Sequence, residues 1–186
     1  MTLKKALLVG MLGGLSVAAA GLVIGDEGEW RWGGMAGARQ DVAPVNDELY
    51  RGECGSCHFD YQPGLLPAAT WQEIMQGLGD HFGENAELGA AEQKAISDYL
   101  TANAADGDGY SRFAGIGRSM QGSESLRITD SAYFRRKHDE VPARLVTSNP
   151  GVGSFARCDS CHTTAAKGIY DEHQVRSPGA GRWDDD

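Results

Sequence analysis

The cysteines of this 186-residue chain have an unusual arrangement. All four lie in two Cys-x-x-Cys pairs, and a histidine follows each pair directly. The two motifs are Cys54-Gly55-Ser56-Cys57-His58 and Cys158-Asp159-Ser160-Cys161-His162. Cysteines at i and i+3 of a helical turn point the same way, so their thiols can add to the two vinyl groups on one porphyrin edge. The next histidine then lies beneath the ring and donates a nitrogen to iron. The sequence therefore predicts two covalently bound haem c groups.

Three other uses of paired cysteines explain the pattern less well. A structural zinc site needs both pairs to converge and leaves the two histidines unexplained. A thioredoxin-like redox pair begins a helix after a strand, and no strand-rich segment precedes either pair. Disulfides form in exported proteins, but two identical motifs that each end in histidine are a poor disulfide pattern. Haem attachment is favoured because it accounts for all six residues.

The formal net charge of −9 limits the classes of partner. Nucleic-acid binding calls for clustered Lys and Arg, so the charge argues against a nucleic-acid partner. An acidic surface suits a basic protein partner, or simply solubility.

The N-terminus indicates export. Lys4 and Lys5 precede an uncharged run over residues 6–24, and acidic residues follow. Residues 1–25 are either a signal peptide, cut near Ala18-Ala19-Ala20, or a retained hydrophobic helix that anchors the chain in the inner membrane. Both interpretations place the rest of the chain on the periplasmic side. Residues 26–45 then form a Gly-rich linker.

The remaining sequence predicts a mainly α fold with two small haem-binding modules. We expect an N-terminal haem module over residues 46–106 and a C-terminal haem module with an acidic tail over residues 107–186. Small modules bury little apolar surface, so a haem replaces part of each core. The Gly-rich stretch over residues 106–125 is predicted to be a boundary loop.

Several helix starts follow from capping residues. Asn46 and Asp47 are expected to cap a short helix that runs into Cys54. Thr70 to Glu73 forms a capping-box pattern, and Gly77 and Gly79 are expected to end that helix near His81. Asp130 is expected to cap a helix that carries Phe134 and His138, and Ser154 a short helix that holds the second cysteine pair.

The second ligand of each iron decides the chemistry, because a filled face favours electron transfer and an open face permits oxygen or peroxide chemistry. His81 follows a helix and two glycines, so it can turn toward the first haem. His138 shares a helix face with Phe134 and precedes the second motif. We therefore favour these two histidines as ligands. The alternatives are His173, in a polar context, and Met75, Met35 and Met120.

Several segments resemble the dihaem cytochrome c (DHC) family of proteobacteria over roughly residues 46–178. They are Glu53 to His58, Pro63 to Pro67, Trp71, Asp80 to Ala86, Tyr99 to Asp106, Arg127 to Thr129, Arg135 to Pro142 and Cys158 to His162. The resemblance implies a first module like class I cytochromes c and a less regular second one. It implies bis-histidine ligation, by His58 with His81 and by His162 with His138.

The resemblance also implies that electrons pass between a membrane b-type cytochrome and a soluble high-spin haem protein. We therefore expect a non-enzymatic electron-transfer protein of the periplasm. The alternative function is a dihaem peroxidase or another haem oxidoreductase with one labile haem face. That chemistry needs acid and base residues beside the haem, and the residues that flank the motifs do not clearly supply them. A further alternative is a fixed subunit of a membrane redox complex, anchored by residues 1–25.

Overall fold

Helices supply most of the regular structure in the computed structural model, which describes residues 39–107, 111–120, 123 and 125–182. The helices are α1 (Glu48–Cys54), α2 (Ala68–Gln76), α3 (Ala90–Ala102), α4 (Ala114–Met120) and α5 (Ala132–His138). Two short antiparallel strands follow, β1 (Arg176–Ser177) and β2 (Gly181–Arg182). Single 3-10 turns lie at Pro63–Leu65, Leu78–Asp80, Ile128–Asp130, Ala143–Leu145, Cys158–Ser160, Ala165–Lys167 and Glu172–Gln174. The prediction of a mainly α fold is confirmed. We call residues 46–106 the first haem region and residues 107–186 the second haem region.

The first cysteine pair sits at the end of a capped helix. The Asp47 carboxylate accepts the Tyr50 N–H at 2.8 Å, which satisfies one of the backbone donors left free at a helix start. The predicted cap is therefore confirmed. Tyr50 is buried, and its hydroxyl donates to the carbonyl of Tyr61 at 2.8 Å. The helix is thereby fixed to the loop that follows the first motif.

The next helix begins earlier than its capping-box pattern predicts. α2 starts at Ala68 after Pro67, and the Asp106 carboxylate accepts the Ala68 N–H at 2.7 Å, so the prediction of a capping box at Thr70 is wrong. Pro67 already fixes the backbone angle at this entry. Thr70 and Trp71 are instead buried, and the Trp71 indole donates to the carbonyl of Pro63 at 2.7 Å. The helix ends before Gly77, as predicted.

The hydrophobic core lies mainly in the first haem region. Its buried members are Val42, Val45, Tyr50, Leu65, Leu66, Trp71, Ile74, Met75, Leu78, Ile96, Leu100, Ala104, Ile116 and Met120. Each fully buried large aliphatic side chain contributes roughly 1.5–3 kcal/mol of transfer free energy. The packing of α2 on α3 therefore supports the first cysteine motif independently of any ligand.

The predicted boundary loop over residues 106–125 is wrong in its middle, where α4 forms. Ile116 and Met120 are 4% and 5% exposed and are one helical turn apart, so both reach the core from one face. The glycines at 115 and 117 concealed this pattern because they lower helix propensity. Packing of the apolar face outweighs that cost.

The second haem region is built from short turns. Ser131, not Asp130, caps α5, and its hydroxyl accepts the Phe134 N–H at 3.1 Å. The second cysteine pair lies in a single 3-10 turn, and the Ser154 hydroxyl accepts the Ala156 N–H, well before that turn, so the predicted Ser154-capped helix is wrong. Apart from Ile116 and Met120 of the hydrophobic core, the buried apolar residues of this region that the structure describes are Val146, Val152 and Ala165.

The end of the predicted linker packs against this second region. The N–H groups of Asp41 and Val42 both donate to the Gly168 carbonyl, at 2.8 and 3.2 Å. The predictions for residues 1–25 and for most of the linker lie outside the described residues, as does the tail over residues 183–186. In the part of the chain that the structure describes, every helix is too short or too polar to cross a membrane.

Candidate haem-binding sites

The first motif forms a tight turn at the end of α1. The N–H groups of Cys57 and His58 both donate to the Cys54 carbonyl at 3.3 Å. This turn keeps the two thiols and the histidine close together. Cys54 is half-buried and Cys57 is exposed. The arrangement is the one that the spacing of the motif predicts.

His81 faces the first motif from the other side. It follows the 3-10 turn Leu78–Asp80, and its ring centre lies 6.0 Å from that of His58, with an angle of 23° between the rings. His58 Nδ1 lies 2.7 Å from the carbonyl oxygen of Phe59. Because a carbonyl oxygen only accepts hydrogen bonds, Nδ1 carries the hydrogen and Nε2 keeps its lone pair. Burial, with smaller effects of His58 and Arg127, lowers the pKa of His81 and favours its neutral form.

The second motif opens into a cavity of about 560 Å³. Its lining combines Cys158, Cys161 and His162 with His138 and with the aromatic rings of Phe113, Tyr133, Phe134, Phe155 and Tyr170. Ligand sites are typically cavities of this size, lined by apolar and aromatic groups with a few polar ones. The cavity therefore suits a large, flat, mostly apolar group attached at the two thiols.

Two histidines also face each other at the second site. The ring centres of His138 and His162 are 6.2 Å apart, with an angle of 77° between the rings. His138 Nδ1 lies 2.9 Å from the Phe134 carbonyl, which again leaves Nε2 as the nitrogen with the lone pair. The Phe134 ring stacks on His138 at 3.9 Å and restricts its rotation. His162 Nδ1 is buried with no hydrogen-bond partner among the described residues.

Burial sets the charge of these histidines. It lowers the pKa of His162 to about 4, with a smaller contribution from His138. Burial also lowers the pKa of His138, against the opposing hydrogen bond to Phe134. Both imidazoles are therefore neutral at pH 7, and neutral imidazole is the form that binds a metal.

The thiols are not poised for disulfide exchange. None of the four cysteines is disulfide-bonded. Burial raises the pKa of Cys54 to about 11 and that of Cys158 to about 12, whereas thioredoxin-like pairs depend on a lowered thiol pKa. This difference argues against the redox-pair interpretation.

Buried polar residues join the two sites. Gln62 is fully buried, donates to the Ala165 carbonyl at 2.6 Å and accepts the Tyr170 hydroxyl at 2.6 Å. Tyr170 lies 5.3 Å from the His162 ring, and Tyr61 lies 5.6 Å from the His58 ring. The Tyr61 hydroxyl also donates to the Ala156 carbonyl, two residues before Cys158. These residues could not be predicted from the sequence because they have no motif spacing.

The alternative ligands lie in different places. His173 is exposed but lines the second cavity. Met75 and Met120 are buried in the hydrophobic core, the usual position of a gap-filling methionine. Met35 lies outside the described residues.

The residues present fit a c-type haem at each motif. Each site brings together two thiols, the histidine of the motif and a second histidine from a separate turn or helix. The second site adds an aromatic cavity and an orphaned buried imidazole nitrogen. Two thiols on one turn suit covalent attachment of a haem c, and a neutral imidazole suits its iron.

Comparisons with known proteins also point to two haems. The family model for dihaem cytochrome c matches residues 50–170. A dihaem cytochrome c from Shewanella baltica OS155 is 45% identical with a TM-score of 0.60, covering 73% of this chain and 96% of its own. One from Rhodobacter sphaeroides is 40% identical with a TM-score of 0.60, covering 69% of this chain and 99% of its own.

No curated protein sequence matches the chain. The family match nevertheless covers more than half of its 186 residues, and both solved structures are covered almost completely. The chain therefore belongs to the dihaem cytochrome c family and carries two covalently bound haem c groups.

Proposed function

We propose that this protein transfers single electrons through two low-spin haems with bis-histidine ligation, by His58 with His81 and by His162 with His138. The separation of the histidine rings carries the proposal. Metal–imidazole bonds are about 2 Å long, so two imidazoles on opposite sides of one metal have ring centres roughly 6 Å apart. The observed separations are 6.0 and 6.2 Å.

Hydrogen bonds to the histidines set which ring nitrogen is free to bind iron. The backbone carbonyls of Phe59 and Phe134 hold Nδ1 of His58 and His138, which leaves Nε2 of each ring as the nitrogen available to a haem iron. Two histidine ligands on each haem would leave no open face for oxygen or peroxide, and this supports electron transfer over peroxidase activity. A bound haem supplies the one-electron chemistry, while the protein sets orientation, solvent access and ligand type.

Family membership also guides the location and the partners. We propose a periplasmic protein, held at the inner membrane if residues 1–25 are retained. Its proposed partners are a membrane b-type cytochrome and a soluble high-spin haem protein. N-terminal sequencing of protein isolated from its native membrane and soluble fractions distinguishes the anchored form from the cleaved one.

Optical and electron paramagnetic resonance spectra of the oxidised holoprotein test the ligand set. We expect two low-spin ferric signals and no methionine–iron charge-transfer band. A high-spin signal, or rapid cyanide binding at one haem, would contradict the proposal and favour an oxidoreductase with a labile face.

Substitution of the proposed ligands gives a second test. His81→Met and His138→Met should each raise the reduction potential of one haem, because methionine ligation raises the potential relative to histidine. His173→Met is the matched control and should leave both potentials unchanged. A shift in His173→Met without one in His138→Met would reassign the second ligand.

A further inference from the structure

Charge is divided unevenly between the two haem regions. Residues 46–106 contain 11 Asp or Glu and 2 Lys or Arg, whereas residues 107–186 contain 11 of each. The first haem region therefore holds a surplus of nine negative charges, which equals the net charge of −9 of the whole chain. A field of this sign draws a basic protein toward the first haem region rather than the second.

The backbone is strained beside His81. His81 and Glu84 exchange N–H···O bonds of 2.7 and 3.3 Å, so Phe82 and Gly83 form a two-residue turn. Their φ angles are 58° and 102°. Such turns favour Asn-Gly, and a bulky residue with positive φ is strained because its β-carbon crowds the following carbonyl oxygen. Strain of this kind is concentrated at functional sites.

The strained turn presents an aromatic ring at the surface. Phe82 is 42% exposed, and its ring centre lies 4.8 Å from that of His81. The Arg127 guanidinium lies 4.2 Å from the ring centre and holds it in place. Among the described residues, the exposed large hydrophobic side chains are Phe82 and Leu49, and both belong to the first haem region.

Acidic residues share the groove and the turn that hold this aromatic ring. Glu73 and Asp80 line the same groove as His81 and Phe82, and Glu84 closes the turn. All three acidic residues are exposed. Protein interfaces combine an aromatic, apolar centre with a polar rim, and electrostatic complementarity of the rim guides association.

We propose that Phe82 is the central contact of a docking surface for a basic redox protein, with Glu73, Asp80 and Glu84 as its acidic rim. This proposal rests on the electron-transfer function proposed above and assigns that partner to the first haem. Because Phe82 adjoins His81, a partner seated on the ring comes within one side chain of a proposed iron ligand. Arg127 holds the Phe82 ring in place, so a basic partner that binds the ring also lies beside this positive charge.

Stopped-flow kinetics of the holoprotein test the aromatic contact. The probe is ferric mitochondrial cytochrome c, a basic protein, and each cytochrome c is reduced by one electron as one ferrous haem of this protein is oxidised. Phe82→Asn creates the favoured Asn-Gly turn, so stability should be equal or higher. The second-order rate constant should nevertheless fall at least about threefold. The control Leu49→Ala should leave it unchanged.

Paired charge variants test the acidic rim. Glu73→Gln/Glu84→Gln should lower the rate constant about two- to fivefold at low ionic strength and flatten its salt dependence. Glu92→Gln/Asp98→Asn removes the same charge from exposed positions on α3 that do not line the groove. This control pair should lower the rate constant less than Glu73→Gln/Glu84→Gln does.

The outcomes separate the docking surface from the function itself. The docking surface is refuted if Phe82→Asn keeps the wild-type rate, or if the two charge pairs are equivalent, while the wild type still reduces cytochrome c. If the reduced wild type passes electrons neither to cytochrome c nor to ferricyanide, the electron-transfer function fails as well. Optical spectra of each variant must match the wild type, so that a loss of His81 ligation is not mistaken for a loss of docking.

Discussion

The first haem region places its motif against packed helices, whereas the second builds its site from single turns. α2 and α3 pack through buried residues such as Trp71, Ile96 and Leu100. The buried apolar residues of the second region outside that core are Val146, Val152 and Ala165, around a cavity of about 560 Å³. The same Cys-x-x-Cys-His motif thus works in two settings: in one the protein supplies most of the core, and in the other the haem does.

The largest expected effect comes from preventing haem attachment at one site at a time. A cavity of about 560 Å³ without its haem leaves a mostly apolar, aromatic lining exposed to water, and among the described residues few other buried apolar side chains hold this region together. Cys158→Ala/Cys161→Ala should therefore unfold the second haem region at 25 °C. Hydrogen exchange should show lost protection there, with protection retained in α2 and α3.

The reciprocal variant completes this comparison. Cys54→Ala/Cys57→Ala should weaken the first haem region but leave measurable protection in α2 and α3, because their contacts do not pass through the haem. A haem assay must show one haem per chain in both variants. Equal loss of protection throughout both variants would mean that the two regions depend on haem to the same extent.

The contrast also explains which features the sequence could predict. Cys-x-x-Cys-His fixes its own local geometry, so the cofactors were predictable from the spacing alone. The helix at α4 was not, since Gly115 and Gly117 suggest a loop and only contact with the core favours a helix. Phe155 and Gln62 reach the site through tertiary contacts that leave no periodic pattern. The strain at Phe82 was hidden because the turn pairs an aromatic residue with Gly83 where Asn is expected.

The next largest expected effect on stability concerns the contact between Val42 and Gly168 of the second haem region. Gly168 has φ of 70°, and a β-carbon there would overlap the Val42 carbonyl oxygen. Gly168→Ala should therefore lower the free energy of unfolding by at least about 2 kcal/mol. Gly153→Ala is the matched control, with φ of 78° and no atom within 4 Å of the added carbon. It should cost about 1 kcal/mol, as denaturant titration can measure.

A smaller effect should follow from loosening the polar link between the sites. Gln62→Leu removes one of the two hydrogen bonds to the Ala165 carbonyl, which keeps the one from the Gly168 N–H, and takes the acceptor from the Tyr170 hydroxyl, at a cost of about 2–3 kcal/mol gross. The apolar leucine recovers part of it, so we expect a net loss of about 1–2 kcal/mol. Tyr170→Phe removes only one of the two bonds and should cost less. An equal loss in both variants would show that the Ala165 bond contributes nothing.

The smallest effect is a pH dependence of the second haem region. The hydrogen bond from Ser125 lowers the pKa of Asp130, with further help from Arg135. A lowered folded-state pKa gives stability that is present above the unfolded-state value of about 3.9 and is lost as the pH falls through the folded-state value. The Asp130 side chain is 37% exposed, so solvent screening reduces the effect to less than about 0.5 kcal/mol.

The Tm difference between wild type and Asp130→Asn should thus shrink from pH 5 to pH 2. Ser125→Ala should reduce that pH dependence while keeping the carboxylate; an unchanged profile would mean that Arg135, not the hydroxyl, sets the pKa.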